Sequence, residues 1–115
     1  MHKSFYVCDL AELADPDARG FELNCDDGSS VEGLVVRQGD LVFAYVDSCP
    51  HTGVGLAWLP NRYLDVEGRY LQCATHGALF MIDNGYCIRG PCSGASLTAL
   101  EAAVVDGRVL VRRPC

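Results

Sequence analysis

A chain of 115 residues, half of them apolar, suits one domain with a small core. Its formal charge of −6 argues against nucleic acid, because phosphate binding needs a basic face; an acidic surface suits a basic protein partner and also serves solubility. No stretch reaches the roughly 18 apolar residues of a membrane helix. The opening Met1-His2-Lys3-Ser4-Phe5-Tyr6 has no long apolar run and no twin-arginine pair, so a cytoplasmic protein with no membrane contact is expected.

Short apolar, β-branched or aromatic runs follow one another along the chain. Phe5–Cys8 comes first, and a helical turn is expected near Leu10–Leu13, ended by Pro16. Further strands are expected at Phe21–Asn24, Gly33–Arg37, Leu41–Val46, Tyr63–Val66, Tyr70–Cys73 and Leu79–Ile82. The last pair, Leu97–Val105 and Arg108–Val111, flanks Asp106-Gly107, a hairpin signal. Tight turns are also signalled at Asp26-Asp27-Gly28-Ser29, Gln38-Gly39-Asp40, Glu67-Gly68 and Asp83-Asn84-Gly85. Many short strands at close spacing, with no repeat and no linker, predict one all-β sandwich or barrel over residues 1–115. Two loops, Asp47–Pro60 and Ala74–Gly77, interrupt the pattern, and both start where a strand ends.

Seven cysteines are many for this length, and their number is odd. In a secreted protein they would suggest a disulfide framework; without a signal peptide, metal binding is the better reading. Two pairs stand out, Cys49-Pro50-His51 and Cys73-Ala74-Thr75-His76, separated by residues 52–72. Each offers one thiolate and one imidazole. A tetrahedral zinc ion accepts such donors. So does a [2Fe–2S] cluster of mixed ligation, with two Cys on one iron and two His on the other. Zinc fingers usually keep Cys with Cys and His with His, across shorter loops, and this chain does neither. Of the other cysteines, Cys8 and Cys25 are expected as small core hydrophobes, Cys115 as incidental, and Cys87 and Cys92 as thiols that are not ligands. His2 is expected at the surface, and Trp58 in loop packing.

The surroundings of these pairs sharpen the choice. Residues 49–56 read C-P-H-x-G-x-x-L, residues 73–80 read C-x-x-H-G-x-x-F, and residues 85–91 read G-x-x-x-x-G-P. Over roughly residues 41–100 this resembles the Rieske family. The resemblance implies one [2Fe–2S] cluster per chain, held by Cys49, His51, Cys73 and His76. It also implies a small antiparallel β-sandwich of three sheets, with the two cluster-binding loops at its tip and the Gly-Pro loop over the cluster. Gly53 and Gly77 would let backbone N–H groups approach the sulfurs, where a Cβ would obstruct them. Leu56 and Pro91 would keep water away.

High-potential members of the family join their ligand loops by a disulfide, and the corresponding positions here look like Val54 and Thr75. They also carry a Ser and a Tyr where this chain has Ala78 and Phe80, which cannot donate hydrogen bonds to sulfur. Fewer donors imply the low end of the Rieske range, roughly −150 mV. The resemblance therefore implies a low-potential ferredoxin, a one-electron carrier between a reductase and an oxygenase or other terminal enzyme. His51 and His76 would face the partner, and protonation of their rings would make the potential depend on pH. The alternative is a Rieske small subunit of a larger oxidoreductase such as nitrite reductase. No mononuclear iron triad and no catalytic base–nucleophile pair is found, so no catalytic activity of its own is expected.

Overall fold

A computed structural model of the protein describes residues 4–25, 28–48, 63–65, 67–73, 77–90 and 94–112. Among these, ten strands form three antiparallel sheets. The base sheet has the order β1-β10-β9, with β1 Ser4–Asp9, β10 Arg108–Arg112 and β9 Ala102–Val105. The central sheet has the order β2-β3-β4-β8, with β2 Asp17–Asn24, β3 Ser30–Gln38, β4 Leu41–Val46 and β8 Ala99–Leu100. The tip sheet has the order β5-β6-β7, with β5 Tyr70–Gln72, β6 Leu79–Met81 and β7 Cys87–Arg89. The all-β fold of three sheets is thus the one expected. No helix among the described residues is long and apolar enough to cross a membrane.

The sequence of β3 shows why the central sheet lies in the middle. Leu34, Val35 and Val36 are consecutive and all fully buried. Successive side chains of a strand point to opposite faces, so both faces of this sheet must be covered. Leu34 and Val36 pack with Tyr63, Leu71, Cys73, Ala78 and Phe80 on the tip side. Val35 packs with Cys8, Leu13 and Val109 on the base side. Leu23, Ala44 and Val111 extend the base-side core. Tyr45 ties β4 to the tip: its buried hydroxyl donates to the carbonyl of Ile82 at 2.6 Å. Burial first, and then the charge of Asp83, push its pKa up to about 12, so it stays a donor at neutral pH.

Local chemistry sets several junctions. The β9–β10 hairpin turns on Asp106 (φ 52°) and Gly107 (φ 75°), the paired left-handed conformation that a two-residue hairpin needs. The expected helical turn is a 3₁₀ turn at Leu10–Glu12. Its start is closed by the Glu12 carboxylate, which accepts from the Asp9 amide at 2.7 Å. Arg37 secures its end, donating to the carbonyls of Leu10 (3.2 Å) and Leu13 (2.8 Å).

Four expectations need correction. The run Leu97–Val105 is not one strand: it breaks at the exposed Glu101, so that Ala99–Leu100 pairs with β4 and Ala102–Val105 with β10. The chain changes sheets there, which a continuous apolar run conceals. Tyr63–Val66 provides only an isolated bridge, Leu64 to Leu71, and Val66 is outside the described residues. Cys87–Arg89 is a strand although the sequence did not mark it as one. Cys25 is not merely a core hydrophobe but is disulfide-bonded, whereas Cys8, Cys73 and Cys87 keep their thiols. Cys8 is 1% exposed, as a core residue should be.

Candidate metal centre

Of the four expected ligands, Cys73 is described; Cys49, His51 and His76 lie outside the described residues, as do Gly53, Val54, Leu56, Trp58, Thr75, Pro91 and Cys92. The site is therefore built here from the roots of the three segments that carry them, 49–62, 74–76 and 91–93.

Cys73 directly follows β5, and it is fully buried. Its amide donates to the Ala78 carbonyl at 2.9 Å, and its carbonyl accepts from the Gly77 amide at 2.8 Å. Two backbone hydrogen bonds thus close the root of segment 74–76 and fix where Cys73 stands. Gly77 has φ 67°, and no atom of the described residues beyond its chain neighbours lies within 4 Å of where its Cβ would be. With no side chain of its own, its backbone can be approached closely.

The root of segment 91–93 packs against the same place. A Cβ on Gly90 (φ 105°) would lie 2.8 Å from Ala78 Cα and 3.0 Å from Ala78 Cβ. Beyond it, Gly94 N donates to Cys87 O at 3.2 Å, and Cys87 N donates to Ala95 O at 2.9 Å. Only glycine lets β7 leave the sheet this close to Ala78.

The root of segment 49–62 is held by Asp47 and Tyr63. Asp47 N donates to Glu32 O at 2.9 Å, anchoring the end of β4. The Tyr63 hydroxyl donates to Asp47 Oδ2 at 3.4 Å, and the Tyr63 carbonyl accepts from the Gln72 amide at 2.8 Å. Tyr63 therefore links the residue two before Cys49 with the residue one before Cys73. Burial first, then the charge of Asp47 and the hydrogen bond to it, push its pKa up to about 12, so it remains a donor. Gly20 makes room for it, since a Cβ there would collide with the Tyr63 hydroxyl. The sequence reading placed Tyr63 only in a strand; no local signal marks a contact made across the loop it closes.

All three roots thus meet at one end of the molecule, around Cys73, Ala78 and Tyr63. A buried thiol, an approachable backbone at Gly77 and two further roots at that end fit a [2Fe–2S] group of mixed ligation. Ala78 and Phe80 are fully buried and apolar, so neither offers a hydroxyl.

The family profile of the Rieske [2Fe–2S] domain matches residues 3–105. No curated protein sequence matches the chain. Among solved structures, the ferredoxin of carbazole 1,9a-dioxygenase from Nocardioides aromaticivorans IC177 is similar, with 25% identity and a TM-score of 0.73 over 95% of this chain and 96% of that one. A chain in the complex of reduced oxygenase and oxidised ferredoxin of carbazole 1,9a-dioxygenase has the same identity and TM-score over 95% of this chain and 92% of its own. A Mycobacterium tuberculosis protein, provisionally named the small subunit of an NADH-dependent nitrite reductase, has 27% identity and a TM-score of 0.66 over 100% of this chain and 98% of that one. With nearly its whole length matched and its loop roots gathered around Cys73, the chain belongs to the Rieske [2Fe–2S] domain family.

Proposed function

We propose that the chain is a low-potential ferredoxin that carries single electrons from a reductase to an oxygenase or other terminal enzyme in the cytoplasm, without catalysing a reaction itself. The observation that carries this reading is the end-to-end likeness to the ferredoxin of a dioxygenase. Residues 1–115 form one domain in this reading. Cys49 and Cys73 hold one iron, and His51 and His76 the other. Bound there, the [2Fe–2S] group supplies a one-electron couple. The chain's own part is to place the ligands and keep water out. Cys73 is set by its two hydrogen bonds, and Tyr63 holds the two loop roots together. His51 and His76 face the partner.

Protein purified without oxygen is expected to contain two irons and two inorganic sulfides per chain and, once reduced, to give the EPR signal of a mixed-ligand cluster. It should then reduce an oxygenase component in stopped-flow mixing. Stoichiometric zinc without sulfide would sink the reading.

A second reading, the small subunit of a larger oxidoreductase, is favoured by the likeness to the M. tuberculosis protein over both full lengths. Stable co-purification with a large subunit would select it.

The low potential is testable separately. Ala78→Ser and Phe80→Tyr each offer a hydroxyl to sulfur, and a hydrogen bond to a charged acceptor is worth roughly 1.5–3 kcal/mol. Only the difference between redox states counts, about 1 kcal/mol, and 59 mV is a tenfold change for one electron. Each variant should raise the potential by some tens of millivolts in protein-film voltammetry. A fall in potential with the cluster intact would contradict the assignment.

A further inference from the structure

Tyr86 and Ile88 are 45% and 43% exposed, two of the five large apolar side chains that the described surface shows. Both belong to the tip sheet, Ile88 on β7 and Tyr86 just before it. The pairing of that sheet shows what they border. Gln72, Leu79 and Arg89 are cross-strand partners in one row. Neighbouring strands are about 4.8 Å apart, so the Arg89 backbone stands about 10 Å from that of Gln72, the residue before Cys73. Leu79 pairs with Arg89 and Phe80 with Cys87, which makes Ile88 the extra residue of a bulge. Leu71, Phe80 and Cys87 are buried in the core, whereas Ile88 and Arg89 are exposed. The backbone of Tyr86 and Cys87 is already occupied by residues 94–96, so β7 offers side chains there and not a free strand edge.

Charge sets this place apart. Arg69, just before β5, is paired with Glu67 at 3.6 Å. Arg19 and Arg112 are paired with Glu12 and Glu101, and Arg37 donates to backbone carbonyls. Arg89 makes no ion pair and no side-chain hydrogen bond among the described residues. The nearest carboxylate along its strand and turn is Asp83, six residues back, beyond Tyr86. The chain as a whole carries a formal −6, which attracts a basic partner from a distance. At contact, the local charge decides what fits, and here it is a cation next to two exposed apolar side chains.

We propose that Tyr86, Ile88 and Arg89 form the face on which a redox partner docks, and that the partner presents there an apolar surface with a carboxylate opposite Arg89. The proposal rests on the reading of the chain as a one-electron carrier. Tyr86 and Ile88 displace water from the contact, and the guanidinium of Arg89 binds the carboxylate and fixes the register. The same row that holds Arg89 leads through Leu79 to Gln72, so a partner docked there is held close to Cys73.

Stopped-flow oxidation of the reduced holoprotein at low ionic strength tests it. Two small acceptors each take one electron from the cluster: ferricyanide, an anion whose Fe(III) becomes Fe(II), and tris(phenanthroline)cobalt(III), a cation whose Co(III) becomes Co(II). Arg89→Glu should lower the ratio of the ferricyanide rate to the cobalt rate about tenfold, with a full content of iron and sulfide. Arg108→Glu makes the same change of net charge in the base sheet and should move the ratio little. The difference should collapse in 1 M salt, where the screening length is about 3 Å. Equal effects of the two variants, or none, overturn the proposal. An oxygenase component as acceptor tests the partner itself. Arg89→Glu should reduce it about tenfold more slowly than the wild type and Ile88→Ser severalfold more slowly, while Arg89→Lys, which keeps the charge, retains most of the rate. Reduction by Arg89→Glu at the wild-type rate overturns the docking face. Wild-type protein without a cluster counts instead against the ferredoxin reading, whereas a full cluster with unchanged rates removes this proposal alone.

Discussion

Cys73→Ser is expected to yield protein without iron or sulfide, lacking the visible absorbance of the cluster. Cys73 is fully buried and held by backbone hydrogen bonds on both sides, so its sulfur has one place to be. A serine hydroxyl does not ionise as a thiol does and leaves a polar group in an apolar surrounding, at a cost of about 1–3 kcal/mol. Two other buried cysteines serve as controls. Cys8 lies in the base-side core with Val35 and Val109. Cys87 shares the tip-side core with Cys73, and its sulfur contacts the Arg89 carbonyl at 3.3 Å. Cys8→Ser and Cys87→Ser should lose stability and keep iron. Iron and sulfide assays decide the matter: a normal complement in Cys73→Ser would remove that residue from the ligand set, and iron loss in Cys87→Ser would add a ligand not foreseen.

Gly90→Val should be the most damaging single change outside the ligands. At φ 105° a branched side chain is strained, and the new Cβ would meet the backbone of Ala78 at 2.8 Å. Ala78 in turn accepts the Cys73 amide, so relief of the clash moves Cys73. Left-handed strain of about 1–2 kcal/mol and overpacking of about 1–3 kcal/mol together reach about 3 kcal/mol. Gly39→Ala separates the two effects. Gly39 has φ 65° with no atom of the described residues beyond its chain neighbours within 4 Å of a Cβ, in the turn between β3 and β4. It should cost about 1–2 kcal/mol and leave the cluster intact. Urea unfolding and iron content of both variants measure this. Equal losses in the two would show that the Gly90–Ala78 contact does not matter.

These expectations rest on features that were unequally visible in the sequence. The proposed ligand pattern stands out in the sequence because the donors of each pair are close neighbours in the chain and carry their chemistry with them. Turns were legible for the same reason: Asp106-Gly107 states its own conformation. The boundaries within Leu97–Val105 were not, because the run is apolar to either side of Glu101, and hydropathy does not tell which sheet a residue joins. Strand β7 is no shorter than β5 or β6, but only Cys87 of its three residues is buried, so its hydropathy pattern does not mark a strand. The disulfide at Cys25 was hidden by its environment, since a cysteine in an apolar strand reads as a small hydrophobe until the strands are stacked. Tyr63 was hidden most completely: its partners Asp47 and Gln72 are set by the closing of a loop, which no window of sequence contains.

The pairing of β1 with β10 puts Ser4 opposite Arg112, so the described chain enters and leaves the domain on adjacent strands. Both belong to the base sheet, with the central sheet between them and the gathered loop roots. Such an arrangement makes the domain portable. A polypeptide spliced onto either strand, or a domain inserted whole into a larger chain, would attach at the back and leave the front face clear for docking.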